Sequence, residues 1–452
     1  MGGYKLKKKL LATILCAAMT ATMLSGCGEA KTEPAAAPAQ TETKTEEAAA
    51  PEEAPAETAE TPVEGEIHYA YWQDALTPYL EESAKIFEET YPGTKIVLEP
   101  TAWGEYWTKL ETAASGGSVA DVFQLNGPNI GKYASAGVVV PIDEYIASSD
   151  LDLSNYPAAL NDLYTVEGKQ YGIAMDYDTI GLWYNKELFD AKGIAYPNEN
   201  WTWDDLVAAA KAITDPATGT YGITADYADQ GGFYNTVPLF GGYIISEDKK
   251  TSGFSLDETK AGIQCWVDLM KEGYSPSQAS LTENPNYVQF MSGKVGMVMA
   301  GDWFATTFAS DEAFKDKCDV TYIPMINGKR TSVIHGKANC ISAATQYPEA
   351  AWKWVEFLAG DKANELLGKT GAAIPSHKDY SALYFEQFPQ YNMAIFADEA
   401  QNSSYPYPTS KTAAEWGDIM WNELISAYSL EVSVSDACDS IASQMNDLLA
   451  TE

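Results

Sequence analysis

The sequence IHYAYWQDALTPYLEESAKIFEETYPGTKIVL, residues 67–98, combines two hydrophobic periodicities within one short stretch. Residues 67–72 read as a strand, and Leu80, Ala84 and Phe87 then share one face of a helix that Thr77 can cap and Pro78 can begin. Residues 91–93, Tyr-Pro-Gly, end that helix, and residues 95–98 read as a second strand. A strand, a helix and a strand in about 30 residues predict a parallel α/β sheet.

The same alternation continues through the rest of the chain. Residues 120–124 and 172–174 read as strands, whereas residues 203–213, 258–271 and 348–358 read as helices. The chain has 452 residues, 46% of them apolar and 12% aromatic, so it can fill the cores of two domains. We therefore expect an α/β protein rather than a disordered or solenoid one.

The amino terminus has the pattern of an export signal. Four lysines in residues 5–9 precede an apolar stretch, residues 10–24, that is shorter than the roughly 20 residues a membrane-spanning helix needs. The stretch ends in Leu-Ser-Gly-Cys, which resembles a bacterial lipobox, so we expect residues 1–26 to be a lipoprotein signal peptide and Cys27 to be lipidated. An ordinary signal with a chance cysteine is the alternative.

Residues 27–65 form a compositionally separate segment. After Cys27 the segment is dominated by Ala, Glu, Pro and Thr and contains no aromatic residue. Such a composition buries too little apolar surface to offset the entropy of an ordered chain. We expect a disordered tether between the lipid and the folded body.

The charge and the cysteines exclude several kinds of function. A net charge of −35 repels nucleic acid and phosphorylated ligands and favours a neutral or cationic ligand, although acidity can also simply keep a protein soluble. The cysteines beyond the amino-terminal region are Cys265, Cys318, Cys340 and Cys438. Their spacing forms no Cys-x-x-Cys pair and leaves disulfides and free thiols equally open.

Several motifs, in order along residues 66–452, carry a resemblance to a known family. They are residues 86–96 (IFEETYPGTKI), 120–123 (ADVF), 133–138 (YASAGV), 170–174 (QYGIA), 182–189 (LWYNKELF) and 290–303 (FMSGKVGMVMAGDW). Together they resemble the extracellular solute-binding proteins of carbohydrate-uptake ABC transporters, the group that includes the maltose-binding protein.

The resemblance implies a type II periplasmic-binding-protein fold with two lobes, each a mostly parallel sheet flanked by helices. It places residues 66–175 and 299–342 in the first lobe, and residues 176–298 and 343–452 in the second. Residues 170–189 and 290–303 would cross between the lobes. Lobes joined by such crossings can rotate about them and close over a ligand.

Ligands of parallel α/β sheets bind beyond the carboxyl ends of strands, and sugars offer hydroxyls and flat C–H faces to carboxylates and aromatic rings. Residues at such positions are the candidates for ligand binding, although core packing or helix capping is an alternative for each of them. The candidates are Tyr71, Trp72, Asp74, Trp103, Asn126, Asp176, Tyr234, Gly301, Asp302, Trp303, Gly371 and Tyr407. The segment Gly301-Asp302-Trp303 is favoured most, because it combines close backbone approach, a carboxylate and a stacking ring. Trp203, by contrast, is expected to anchor a helix that Thr202 caps.

Signatures of enzymes and metal sites are missing from the sequence. The three histidines, His68, His335 and His377, have no zinc-binding spacing, and no Gly-x-Ser-x-Gly elbow occurs. Two acidic turns, residues 150–152 and 176–178, offer oxygen ligands for calcium, but neither has EF-hand spacing. We expect no cofactor.

The preferred hypothesis is a monomeric receptor, lipid-anchored on the outer face of the bacterial cytoplasmic membrane. It would capture a neutral sugar or oligosaccharide, deliver it to an ABC permease and bind no nucleic acid. There are two alternatives. The same fold could bind a polyamine or a peptide, or the protein could be a secreted glycan-degrading enzyme.

Overall fold

The computed structural model describes residues 63–452. The predicted signal peptide, Cys27 and most of the predicted tether lie outside the described residues. The first strand already begins at Glu64, so the folded body starts slightly before the predicted tether end at residue 65.

The described chain alternates between strands and helices, with short 3-10 turns between some of them. The strands are β1 Glu64–Tyr71, β2 Gly93–Pro100, β3 Val122–Asn126, β4 Thr165–Val166, β5 Lys169–Gln170, β6 Gly172–Ala174, β7 Asp176–Tyr177, β8 Ile180–Asn185, β9 Tyr221–Ile223, β10 Val295–Gly301, β11 Cys318–Tyr322, β12 Ser332–Ile334, β13 Lys337–Ile341, β14 Ile374–Pro375 and β15 Ser404–Pro406. The helices are α1 Thr77–Thr90, α2 Trp103–Gly116, α3 Gly127–Ser135, α4 Asp143–Ala147, α5 Ala158–Leu163, α6 Lys186–Lys192, α7 Trp203–Ile213, α8 Asp257–Lys271, α9 Gln278–Glu283, α10 Asn286–Met291, α11 Phe304–Ser310, α12 Pro348–Ala359, α13 Asp361–Thr370, α14 Ser381–Phe385, α15 Ala394–Asn402, α16 Ala413–Tyr428 and α17 Val434–Leu449.

The first lobe is built on a five-stranded sheet in the order β2-β1-β3-β13-β6. Strands β1, β2 and β3 run parallel, as the opening sequence predicts, while β13 is antiparallel to both of its neighbours. Ile67, Tyr69 and Tyr71 alternate onto the face that packs on α1 and α12, and Ala70 points to the other face. The sheet is therefore buried on both sides.

The second lobe contains a four-stranded sheet in the order β11-β8-β10-β9. Only β9 and β10 are parallel; β8 is antiparallel to both β10 and β11. This sheet is mixed rather than mostly parallel, because β8 lies between β10 and β11 and is antiparallel to both.

Three segments connect the lobes and lie side by side. Residues 175–179 pair with residues 374–375 through β7 and β14, and Asp178 forms a bridge with His335 of the third segment. These backbone pairs tie the connections into one narrow hinge.

The observed lobe boundaries correct the predicted ones in two places. Strand β10, predicted as the return crossing, pairs along its length with β8 inside the second sheet, and β11 also belongs to that sheet; the return crossing is instead at residues 332–336. Helices α12 and α13 pack on β1, β13 and α1 of the first lobe, not in the second lobe. Strand pairing partners far away in sequence decide both assignments.

Helix α7 begins as the sequence predicts. Thr202 Oγ1 accepts a hydrogen bond from Asp205 N at 3.3 Å, Asp205 Oδ2 accepts one from Thr202 N at 2.9 Å, and together they form a capping box. Trp203 packs edge-on against Trp266, with ring centroids 5.2 Å apart. At α1 the prediction is wrong, because Leu76 is the N-cap and the Thr77 hydroxyl bonds the Tyr71 hydroxyl at 2.7 Å.

Cys265, Cys318, Cys340 and Cys438 are all free thiols in the described part of the chain. Within residues 63–452, no helix combines the length and the apolar character needed to cross a membrane.

Candidate functional site

A cleft of about 730 Å³ lies where the two lobes meet at the hinge. It is bounded by the segments that follow β1, β3 and β10, by the start of α2, and by the three connections of the hinge. The lining residues are Trp72, Gln73, Asp74, Trp103, Asn126, Asp176, Tyr177, Asp178, Gln230, Asp302, Trp303, His335, Gly336, Lys337, Ala372 and Ala373. Seven of them, namely Trp72, Asp74, Trp103, Asn126, Asp176, Asp302 and Trp303, are residues that the sequence predicts.

The first lobe contributes an aromatic wall. Trp72, directly after β1, packs edge-on against Trp103, the first residue of α2, with ring centroids 5.4 Å apart. Trp107 and Tyr106, on the next turn of α2, support the Trp72 ring from behind at 5.6 and 5.1 Å. Trp103 is 52% exposed, so a large apolar ring is available at the cleft.

The second lobe contributes Trp303, which follows β10 and is 38% exposed. A Cβ atom at Gly301 would lie 2.0 Å from the Trp303 ring, so only glycine lets the ring fold back against the strand end. The cleft thus has an exposed tryptophan on each lobe.

Asp176 and Lys337 form a buried ion pair at the base of the cleft. Asp176 Oδ2 bonds Lys337 Nζ, and Asp176 Oδ1 accepts a hydrogen bond from Lys337 N at 2.9 Å. Both carboxylate oxygens are therefore used within the protein, and this pair joins β7 to the start of β13. Asp176 shapes the site rather than offering a free carboxylate.

Asp178 lies two residues further on, facing the same cleft by the alternation of an extended chain. Its Oδ1 accepts a hydrogen bond from Gln230 Nε2. Burial, followed by the charge of Asp176, raises the pKa of Asp178 to about 7.

Asp302 is the buried polar group of the cleft that has the fewest partners. It is 4% exposed, and its Oδ1 has no hydrogen-bond partner among residues 63–452. Its backbone oxygen accepts a hydrogen bond from the Tyr384 hydroxyl at 3.2 Å, which fixes the chain at this position. Burial, and then the charges of Asp178 and Asp176, raise the pKa of Asp302 well above its usual value.

His335 joins the hinge to the first lobe. Gly127 N, at the start of α3, donates a hydrogen bond to His335 Nε2 at 3.2 Å, so this nitrogen carries no proton and the ring is neutral. Burial, and secondarily Lys337, lower the pKa of His335 to about 3. The ring also packs on Tyr407 at 4.4 Å.

Polar groups of the first lobe complete the lining. Asn126, at the end of β3, accepts a hydrogen bond from Asn129 Nδ2 through its Oδ1 at 2.7 Å, which directs its amide nitrogen away from that bond. Gln73 Nε2 donates to Ala372 O at 3.0 Å, and Asp74 is exposed at the rim. The lining therefore offers both an amide donor, at Asn126, and a carboxylate acceptor, at Asp74.

Five predicted residues do not line the cleft, and one of them is Gly301, the last residue of β10, which lies directly against the Trp303 ring. Tyr71 is buried, because it follows Ile67 and Tyr69 onto the α1 face of β1, and Tyr234 is buried in the core against Tyr407. Tyr407 lies behind His335, where its hydroxyl donates to Asp229 Oδ2 at 2.6 Å. Gly371 ends α13 in the left-handed conformation, and only the two residues after it reach the cleft.

The prediction misses several lining residues. They are Tyr177, Asp178, Gln230, His335, Gly336, Lys337, Ala372 and Ala373. Alternation from Asp176 could have identified Asp178, but Gln230 and residues 335–337 approach the cleft only through the fold.

The structure gives no support to a calcium site at either acidic turn. Asp152 caps a short helical turn by accepting a hydrogen bond from Ser154 N at 2.9 Å, and Asp176 is paired with Lys337. Among residues 63–452, no three acidic, histidine or cysteine side chains are arranged to hold a metal ion.

Comparisons with known proteins agree with this architecture. A family model described as bacterial extracellular solute-binding protein matches residues 69–365. A maltooligosaccharide ABC transporter solute-binding lipoprotein of Streptococcus pneumoniae is 28% identical over 327 residues, 68% of this chain and 72% of that protein.

Solved structures show the same fold. An ABC substrate-binding protein from Listeria monocytogenes, in complex with cycloalternan, superposes with a TM-score of 0.78 and 26% identity over 86% of this chain and 99% of the other. A maltose-bound MalE3 of T. maritima superposes with a TM-score of 0.73 at 22% identity, over 85% and 99% of the two chains.

Proposed function

Because the chain belongs to the family of bacterial extracellular solute-binding proteins, we propose that it captures a neutral sugar or oligosaccharide between its lobes and delivers it to an ABC permease. One observation carries this proposal. The same cleft contains an exposed tryptophan from each lobe and the buried side chain of Asp302, whose Oδ1 has no hydrogen-bond partner among the described residues. Sugar rings present flat C–H faces to aromatic rings and hydroxyls to carboxyl groups. The sugar ligands named for the Streptococcus and Listeria relatives support the same class.

Binding is tested by tryptophan fluorescence and calorimetry with a panel of neutral sugars that includes maltose, maltotriose and lactose. We expect saturable binding of at least one sugar, and about a tenfold loss of affinity in Trp303→Ala because a stacking face is removed. Trp421→Ala is the matched control, since Trp421 is 45% exposed but lies on α16 outside the cleft lining. No saturable binding of any sugar would refute the proposal.

The acidic cleft also favours a second candidate, a cationic solute such as a polyamine. Asp74, Asp178 and Asp302 line the cleft, and in that lining the single lysine is already paired with Asp176. Spermidine is therefore included in the panel. Binding of spermidine without binding of any sugar would establish this alternative.

The proposal includes transport without catalysis. Relatives described as transport binding proteins support a receptor that makes and breaks no bond. Incubation with oligosaccharides at catalytic protein concentration should leave them intact, whereas turnover would indicate a glycan-degrading enzyme.

We also propose that Cys27 carries the lipid and that the mature receptor is a tethered monomer on the outer face of the cytoplasmic membrane. Two acyl chains give stable anchoring where one gives only marginal binding. In a bacterial host, Cys27→Ser should release the protein from the membrane fraction while the affinity for sugar stays unchanged. Retention in the membrane would contradict lipidation at this residue.

A further inference from the structure

Three carboxyl groups and one lysine lie together where the hinge meets the strand end of β10. Asp176 and Asp178 reach the cleft from the first hinge segment, Lys337 from the start of β13, and Asp302 from the end of β10. The hydroxyls of Tyr177 and Tyr384 belong to the same neighbourhood, and burial raises the pKa of both, so they remain neutral. The balance of charge among these groups decides which of them is ionised.

Lys337 is paired with Asp176 and makes no hydrogen bond with Asp302 among the described residues. Lys337 donates to both oxygens of Asp176, one through its Nζ and one through its backbone nitrogen. His335 contributes no charge either, because its Nε2 accepts the Gly127 N–H bond. Within the described lining, no other cationic side chain faces Asp302.

The carboxyl groups of Asp178 and Asp302 differ in their hydrogen-bond partners. Asp178 accepts a hydrogen bond from the Gln230 amide, a partner that suits an ionised carboxylate. Asp302 is more deeply buried, and in the described part of the chain its Oδ1 has no hydrogen-bond partner. An unpaired buried carboxylate is strongly destabilised, and such a group takes up a proton instead.

We propose that Asp302 meets the ligand as a neutral carboxylic acid, donating a hydrogen bond to one sugar oxygen and accepting one from a sugar hydroxyl. This inference rests on the proposed function, since it assigns the role of one residue in sugar binding. A neutral acid has both a donor and an acceptor, and it can therefore donate a hydrogen bond to a sugar oxygen and accept one from a sugar hydroxyl. As a neutral acid, Asp302 adds a hydrogen-bond donor to the side of the cleft that Asp176 and Asp178 line.

The electrostatics support the assignment. Burial is the main cause that raises the pKa of Asp302, and the nearby charges of Asp178 and Asp176 add to it more than Lys337 offsets. A neutral Asp302 removes one of the three negative charges that would otherwise face the single lysine.

Asparagine is the decisive substitution, because its side chain has the shape of the neutral acid and also carries one donor and one acceptor. The probe is the sugar of the panel that binds the wild-type protein most tightly. Asp302→Asn should keep its affinity within about threefold, whereas Asp302→Ala should lose about tenfold or more through the loss of both hydrogen bonds. If Asp302 binds as a carboxylate, Asp302→Asn will lose as much affinity as Asp302→Ala, and the proposal is overturned.

The dependence on pH gives a second readout. The wild-type affinity should fall as the pH rises through the raised pKa of Asp302, and Asp302→Asn should be less sensitive. The pKa of Asp178 is also raised, to about 7, so the comparison is repeated in the Asp178→Asn background. A wild-type loss that disappears in Asp178→Asn alone would assign the effect to Asp178 and contradict the proposal.

A measurement without ligand separates this inference from the proposed function. Because the proton of Asp302 is lost on alkaline titration, Asp302→Asn should become increasingly more stable than wild type as the pH rises. If no sugar binds but this stability difference grows with pH, the proposed function fails while the protonated state of Asp302 stands. If sugars bind and the difference is constant across pH, the inference fails alone.

Discussion

Asp226 illustrates how burial of a single carboxyl group costs stability at neutral pH. Burial raises the pKa of Asp226 to about 6, against a usual value of 3.8. A group whose pKa is raised by folding stabilises the protein fully below its unfolded pKa, and this stability is lost as the pH rises through the folded value. Asp226 therefore opposes folding above about pH 6.

Asp226→Asn should raise the free energy of unfolding by about 1–3 kcal/mol at neutral pH, because the ionised form is no longer buried. Urea unfolding from about pH 4 to about pH 8 measures the effect. The gain should vanish at the acid end. An equal gain at both ends would show that packing, not ionisation, is responsible.

His335 has the opposite dependence on pH. Its pKa is lowered from 6.5 to about 3, so its contribution to stability is present above pH 6.5 and is lost as the pH falls towards 3. Protonation would also remove the acceptor for the Gly127 N–H group.

His335→Gln keeps a neutral acceptor at this position but cannot be protonated in this range. The difference in unfolding free energy between wild type and His335→Gln should move against wild type as the pH falls below about 6. His68→Gln is the control, since the neighbouring Glu99 raises the pKa of His68 and reverses the sign. The same trend in both variants would exclude the explanation.

The first turn of α7 is stabilised by a capping box that two side chains form. Thr202→Ala removes the acceptor for Asp205 N, and we expect a loss of about 1 kcal/mol. Thr202→Ser, which keeps the hydroxyl, should lose little. Because α7 lies on β9 and β10 and outside the cleft lining, the affinity for sugar should be unchanged in both variants.

Residues at the ends of strands and helices are the part of the site that the local sequence can predict. The predicted Trp72, Trp103 and Trp303 line the cleft because each stands at or just beyond the end of an element. Tyr71, one residue before Trp72, was also predicted to line the cleft, but side chains alternate along β1 and that of Tyr71 lies in the core. A shift of one residue exchanges the two faces of a strand, which sequence pattern resolves only when the register is known.

Three adjacent connections join the two lobes, and lobes joined in this way can rotate about them. Binding energy from contacts with both lobes can select a closed shape, provided that the open and closed shapes bind the ligand unequally. We expect a saturating sugar to reduce the radius of gyration measured by small-angle X-ray scattering. Trp303→Ala at the same sugar concentration should show a smaller change because occupancy falls, and an unchanged radius in the wild type would argue against closure.

The sequence alone determined the α/β class, several of the longer helices and strands, the family, and about half of the residues that line the cleft. These features depend on periodicity, caps and turns within short windows of the chain. The tertiary structure decided that Asp176 is neutralised by Lys337, 161 residues away, and that Asp302 is left without a partner. It also placed β10 in the second sheet and Tyr71 in the core. The physical reason is that ion pairing, strand register and burial depend on long-range contacts, whereas the sequence pattern records only local ones.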